Sequence, residues 1–79
     1  MEEKLLDLLV EQTGYEEIRL NRDIDMFKNG LIDSLGFINL IIELEQRFGV
    51  IVDPADVERT EIQTPNLFVK FVSERLEVK

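Results

Sequence analysis

Apolar residues recur along this chain three and four positions apart, in runs divided by polar stretches rich in glycine, asparagine, aspartate and proline. That spacing puts side chains on one face of an α-helix. In the first run Leu5, Leu6, Leu9 and Val10 make one inward stripe and predict a helix from about Glu2 to Thr13. Glu2 and Glu3 fall in its first turn, where the helix dipole favours acids, and Gly14 stands where a helix stops. A second helix is predicted from about Ser34 to Arg47, with Gly49 ending it. Val50-Ile51-Val52 then reads as a short extended piece. Asp53-Pro54 resembles an N-cap with proline at the first helical position, opening a brief third helix to about Arg59. Thr64-Pro65 repeats that signal ahead of a last helix carrying Leu67, Phe68, Phe71, Val72 and Leu76. The pattern predicts an all-α fold, a small bundle of three main helices plus one short helix.

A long loop joins the first two helices, from Gly14 to Asp33. Its turn-forming residues concentrate in Asn21 to Asp25 and in Lys28-Asn29-Gly30. Ile18, Leu20, Ile24, Met26, Phe27, Leu31 and Ile32 are too many apolar residues for a freely solvated loop, so the connection is expected to be pinned across the bundle. Connections of this length are uncommon unless they carry function.

The second helix has apolar residues on more than one face. Phe37, Leu40, Ile41, Leu44 and Phe48 mark the stripe that a core requires. Leu35, Ile38 and Ile42 form another at i, i+3 and i+7, turned away from the first. Either these three pack beneath the long connection, or they form a docking stripe for a partner. In the second case Asp33, Glu43 and Glu45 supply a charged rim.

Composition narrows the function. Seventy-nine residues make a single domain, 1–79, near the lower limit for a chain folding on its own core. There is no cysteine and no histidine, which removes disulfides, thiolate metal sites and the commonest general base. Seventeen acidic against nine basic residues give a net charge of −8. Such a surface repels nucleic acids and anionic membranes and is attracted to a basic groove on a partner protein. No apolar stretch approaches the ~20 residues that span a bilayer, and Met1-Glu2-Glu3-Lys4 lacks the features of a secretory leader. The expectation is a cytoplasmic monomer and not a membrane protein.

The one residue that looks like chemistry is Ser34, in Gly30-Leu31-Ile32-Asp33-Ser34-Leu35-Gly36. A serine at a helix start exposes its hydroxyl beside unpaired backbone N–H groups, a favourable place for a phosphate. Its ordinary role there is capping, for which Asp33 competes. As a nucleophile it lacks an adjacent base, Lys28 being six residues upstream, and the surrounding residues are not a Gly-x-Ser-x-Gly elbow. Ser34 is better read as an acceptor that another enzyme modifies, with Asp33 assisting the metal that accompanies a phosphate-containing donor. Asp23-Ile24-Asp25 begins like a calcium loop, but Phe27, Gly30 and the missing twelfth-position glutamate break the pattern, so no stable metal site is expected. Asp23/Asp25 and Glu43/Glu45 are spaced i, i+2, which on a helix does not bring carboxylates face to face. The chain reads as a non-enzyme. Two readings remain: a carrier modified at Ser34, or an unmodified acidic helical module docking through Leu35, Ile38 and Ile42.

The run Phe27 to Phe48, centred on Asp33-Ser34-Leu35, resembles acyl and peptidyl carrier proteins, and the order of helix, long loop, serine-led helix, short helix and final helix extends the resemblance over nearly the whole chain. The resemblance implies an acyl-carrier-like bundle in which a phosphopantetheinyl transferase moves 4′-phosphopantetheine from coenzyme A onto Ser34. Asp33 would assist metal binding during that transfer. The arm's thiol would hold cargo as a thioester, presented to an adenylating ligase, acyltransferase or synthase, and Leu35, Ile38 and Ile42 would face such partners. Gly36, Glu58-Arg59 and Thr64-Pro65-Asn66 look more like D-alanyl carrier proteins, which take D-alanine from an adenylating ligase for lipoteichoic acid D-alanylation. The usual pattern of that group has tryptophan near position 62, where this chain has Ile62, and a small polar residue where it has Phe37. A stand-alone aminoacyl or acyl carrier is therefore also open.

Overall fold

The computed structural model describes residues 2–77, apart from the side chain of Glu77. Three α-helices carry the fold: α1 (Glu2–Thr13), α2 (Ser34–Phe48) and α3 (Pro65–Glu77). Single 3₁₀ turns lie at Glu16–Arg19, Pro54–Asp56 and Arg59–Glu61, and no strand occurs among the described residues. The fold is all-α, as the periodicity requires.

Helix α1 packs against both α2 and α3. It buries Leu5, Leu6, Leu8 and Leu9 against Leu40, Ile41 and Leu44 of α2 and Phe68, Phe71 and Val72 of α3 in one apolar cluster. Full burial of a side chain the size of Phe68 contributes about 1.5–3 kcal/mol. The predicted α1 stripe is rotated slightly: Leu8 is buried and Val10 only half-buried, because α1 faces two helices rather than one. Phe37 and Phe48, expected in the core, are half-buried at its edge.

The helix ends follow local chemistry. Gly49 closes α2 at φ 69°, ψ 17°, with its N–H donating to Glu45 O and Leu44 O. A left-handed residue there is strained for any side chain with a Cβ. At α3, Thr64 Oγ1 accepts from the Leu67 N–H at 3.1 Å, and Pro65 is buried at the first helical position.

The long connection is pinned, though not by all its apolar residues. Ile18, Met26 and Ile32 are buried in the core, and Ile24, Phe27 and Leu31 pack partly against it. Leu20, expected among them, is 89% exposed, since it terminates the Glu16–Arg19 turn and faces outward. That 3₁₀ turn was not legible in the sequence pattern. Hydrogen bonds complete the anchoring. The Met26 N–H donates to Gln63 O at 2.7 Å, and Met26 O accepts from the N–H groups of Leu31 and Ile32 at 2.8 and 3.0 Å. Gln63 Nε2 donates to Asp25 Oδ2 at 3.2 Å, and Asn66 Nδ2 to Asp23 Oδ1 at 2.9 Å. These aspartates thus serve as loop anchors, the ordinary polar turn expected of them.

The predicted brief helix from Pro54 to Arg59 is not continuous. Asp53 Oδ1 caps one turn by accepting from the Ala55 N–H at 2.9 Å. The chain then extends at Val57 (φ −119°, ψ 131°) and Glu58 before a second turn at Arg59–Glu61. Val57 is buried; a β-branched side chain reaching the core from extended backbone breaks a helix too short to stabilise itself.

Three arginines clasp carboxylates across elements. Arg19 pairs with Asp7, Arg22 with Glu2, and Arg47 with Glu11 at 2.6 Å, while Glu43, one turn back on α2 itself, also holds Arg47 at 2.6 Å. The hydrogen bond from Arg47 holds the Glu11 carboxyl below its ordinary value, partly offset by desolvation, and the same bond keeps the Arg47 guanidinium more firmly protonated.

Two outcomes follow for stability. Met26→Ala is expected to cost about 2–5 kcal/mol, whereas Leu20→Ala stays within about 0.5 kcal/mol, read as shifts of a urea midpoint at constant m-value. For Glu11, a depressed folded-state value means that ionisation stabilises the fold above the unfolded-state value near 4.5 and that this is lost as pH falls through the lower folded-state value. Carboxyl titration by NMR should therefore place Glu11 below 4.5 in the wild type and return it toward that value in Arg47→Gln. The urea-midpoint difference between wild type and Glu11→Gln should also close at acid pH.

Candidate functional site

The site is built where the pinned connection enters α2. Gly30, at φ 72°, reverses the chain after the turn over residues 26–30, a conformation that glycine adopts without strain. Ile32 plugs into the core immediately before the helix. Asp33 is extended (φ −105°, ψ −173°), and its Oδ1 accepts from the Gly36 N–H at 2.7 Å. Asp33 is thus the N-cap, and the competition with Ser34 is resolved in its favour. Its second oxygen, Oδ2, accepts no hydrogen bond among the described residues.

Ser34 is the first residue of α2, and its side chain is exposed. Relieved of capping, its hydroxyl oxygen accepts instead from Arg59 Nη2 at 2.9 Å. Arg59 lies 25 residues downstream, in the last 3₁₀ turn. Its guanidinium sits 5.3 Å from the centroid of the Phe27 ring, within cation–π range. Phe27 in turn meets Phe37 at 6.1 Å between centroids, tilted by 58°. The hydroxyl therefore lies at the edge of a small assembly of one cation and two half-buried rings.

Sequence reasoning did not single out Arg59, Phe27 or Phe37 for the site. Arg59 carried one available signal: it is a lone base in the run Asp53 to Glu61, which otherwise holds Asp53, Asp56, Glu58 and Glu61. Phe37 was placed in the core by period alone, and in the structure it is half-buried and meets the Phe27 ring.

Leu35, Ile38 and Ile42 are 69%, 39% and 45% exposed. They do not pack beneath the connection, and they begin one residue after Ser34. Of the expected rim, Glu45 is exposed, whereas Glu43 is half-buried and held by Arg47. Asp33 is engaged as the cap. Glu45 is the rim acid with no partner among the described side chains. No group of three or more potential metal ligands occurs among the described residues, and no helix described is long and apolar enough to cross a membrane.

A family model described as a phosphopantetheine attachment site matches residues 3–72, a span that contains every residue of this assembly. The chain belongs to that family. Among its relatives, the D-alanyl carrier protein of Abiotrophia defectiva is 38% identical over 76 residues, 96% of each chain. The D-alanyl carrier protein of Bacillus velezensis is 36% identical over 72 residues, 91% of this chain and 92% of that protein. That of Lacticaseibacillus casei is 34% identical over 70 residues, 89% of this chain and 86% of that protein. Members of the phosphopantetheine attachment family bear 4′-phosphopantetheine covalently, so the chain is a carrier and not a catalyst. The residues present fit that group: Ser34 offers an exposed hydroxyl that the helix does not need for its own cap.

The two neighbouring positions are separable by stability. Asp33→Ala is expected to cost about 0.5–2 kcal/mol through the lost cap. Ser34→Ala, at an exposed site, should remain within about 0.5 kcal/mol of wild type. Thermal or urea unfolding of the two variants checks the contrast.

Proposed function

We propose that residues 1–79 form one carrier domain that bears 4′-phosphopantetheine on Ser34 and presents an acyl or aminoacyl cargo, D-alanine, to partner enzymes in the cytoplasm. One observation carries the reading. Within a stretch matched by a phosphopantetheine attachment model, the only serine at a helix start has its hydroxyl exposed while the preceding aspartate performs the capping. The cargo is drawn from the names of the three relatives given above, each a D-alanyl carrier protein.

In the attachment step, Ser34 Oγ attacks the pantetheine-side phosphorus of coenzyme A. An Oγ–P bond forms, the pyrophosphate P–O bond breaks, adenosine 3′,5′-bisphosphate leaves, and the hydroxyl proton passes to a base of the phosphopantetheinyl transferase. Asp33 Oδ2 stands clear of the capping bond and assists the metal that accompanies the donor. When bound, the group supplies a thiol that holds the cargo as a thioester, which a chain without cysteine cannot supply itself. Leu35, Ile38 and Ile42 dock the partner enzymes, and Glu45, with Glu43 behind it, orients basic surfaces on the transferase, an adenylating ligase and an acyltransferase or synthase.

Incubation with coenzyme A, magnesium and a transferase of broad specificity is expected to add one phosphopantetheine mass to the wild type and none to Ser34→Ala, read by intact-protein mass spectrometry. A wild type that stays bare with several transferases overturns the proposal in favour of an unmodified docking module. Ile38→Glu or Ile42→Glu should weaken loading by an adenylating ligase about tenfold or more, the loss of an anchor worth ~1.4 kcal/mol, without changing the attachment site.

A further inference from the structure

We infer that Arg59, seated on Phe27, is the residue that binds the phosphodiester: with Ser34 esterified, its guanidinium holds a charged, non-bridging oxygen of the phosphate. The inference rests on Ser34 being the attachment point.

The arginines of this chain fall into distinct groups. Arg19, Arg22 and Arg47 each pair with carboxylates, and Arg75 lies over the Phe71 ring at 3.9 Å. Arg59 has acids close by in sequence, with Asp56, Glu58 and Glu61 within three positions. Nevertheless, no ion pair to it occurs among the described residues. Its side chain instead crosses to another element and donates to a neutral hydroxyl. In a chain of net charge −8, a guanidinium directed away from neighbouring carboxylates and onto an uncharged oxygen is poised for an anion that this oxygen can acquire. Hydrogen bonds from a guanidinium to an anionic oxygen are roughly twice as strong as neutral ones, and its planar fork matches phosphate.

Phe27 supports this pose. The guanidinium carbon lies over the ring, 5.3 Å from its centroid, where the attraction between a cation and an aromatic face holds it beside Ser34. Of the five donors that a guanidinium carries, one is engaged with Ser34. Esterification turns Oγ into a poorer acceptor and places charged oxygens one bond beyond phosphorus. A guanidinium already touching Oγ then exchanges a weak partner for a strong one without moving its backbone turn. Electrostatics also calls for a cation here. The phosphodiester would stand next to the Asp33 carboxylate, and like charges at neighbouring positions repel unless a counter-charge offsets them. Arg59 is the cation whose side chain touches Ser34.

The test uses the full chain in bare and phosphopantetheinylated forms, with attachment first confirmed by mass. In the wild type, the guanidinium ¹H–¹⁵N resonances of Arg59 should shift on modification. The modified form should melt about 2–6 °C above the bare one at low salt, a gain that shrinks as salt is raised. In Arg59→Gln that gain should vanish and the ³¹P resonance should move. Arg59→Lys should retain part of it, keeping the charge but not the planar fork. Comparing each variant with its own bare form removes any purely structural effect of the substitution. Wild-type Arg59 resonances unchanged by modification, or an equal melting gain in wild type and Arg59→Gln, overturn the inference. The wild-type measurement needs no variant and decides the matter even where Arg59→Gln resists modification. A wild type that never gains the mass instead overturns the attachment itself.

Discussion

Met26 is the joint on which the arrangement depends. It has no exposed surface, its N–H is bonded to the segment before α3, and its carbonyl gathers the two N–H groups that lead into α2. A buried side chain flanked by satisfied backbone groups gives the twenty-residue connection between α1 and α2 one position instead of many, at a conformational cost that a solvated loop would not meet. Because the partner in that bond is Gln63, the same contact fixes the 59–63 region relative to the start of α2. The closeness of Ser34 and Arg59, far apart in sequence, is a result of where Met26 sits.

Charge is organised around this frame rather than spread evenly. The carboxylate–arginine clasps join α1 to the connection and to α2. They are surface pairs, so each contributes modestly and is weakened by salt. Their larger effect is to leave most of the remaining surface acidic, which favours encounter with basic partners and disfavours nucleic acids and anionic lipids. The exposed apolar stripe of α2 emerges from that acidic surround, beside the serine.

What the sequence made legible was governed by period and by local caps. Helices α1 and α2 stop, and α2 and α3 start, within a residue or so of their signals, because Asp33, Thr64-Pro65, Gly14 and Gly49 act within a single turn. The excess apolar face of α2 was legible for the same reason: one helix in a small bundle cannot bury its whole circumference. What failed depended on tertiary contacts. Whether 54–59 forms one helix or two turns is decided by Val57 reaching the core, and Leu20 and Ile18, two residues apart in one connection, take opposite fates. Arg59 belongs to the same class. No local rule ties it to Ser34, since the tie passes through Gln63, Met26 and Phe27.

The division of duties between Asp33 and Ser34 carries a consequence for how such a chain tolerates change. The carboxylate keeps the helix in register, and the adjacent alcohol carries no mechanical responsibility. The alcohol can therefore be bare, blocked or derivatised while the scaffold beneath it stays the same object. Within one dipeptide, a change at the acid is felt by the fold, whereas a change at the alcohol is felt chiefly by whatever recognises the surface.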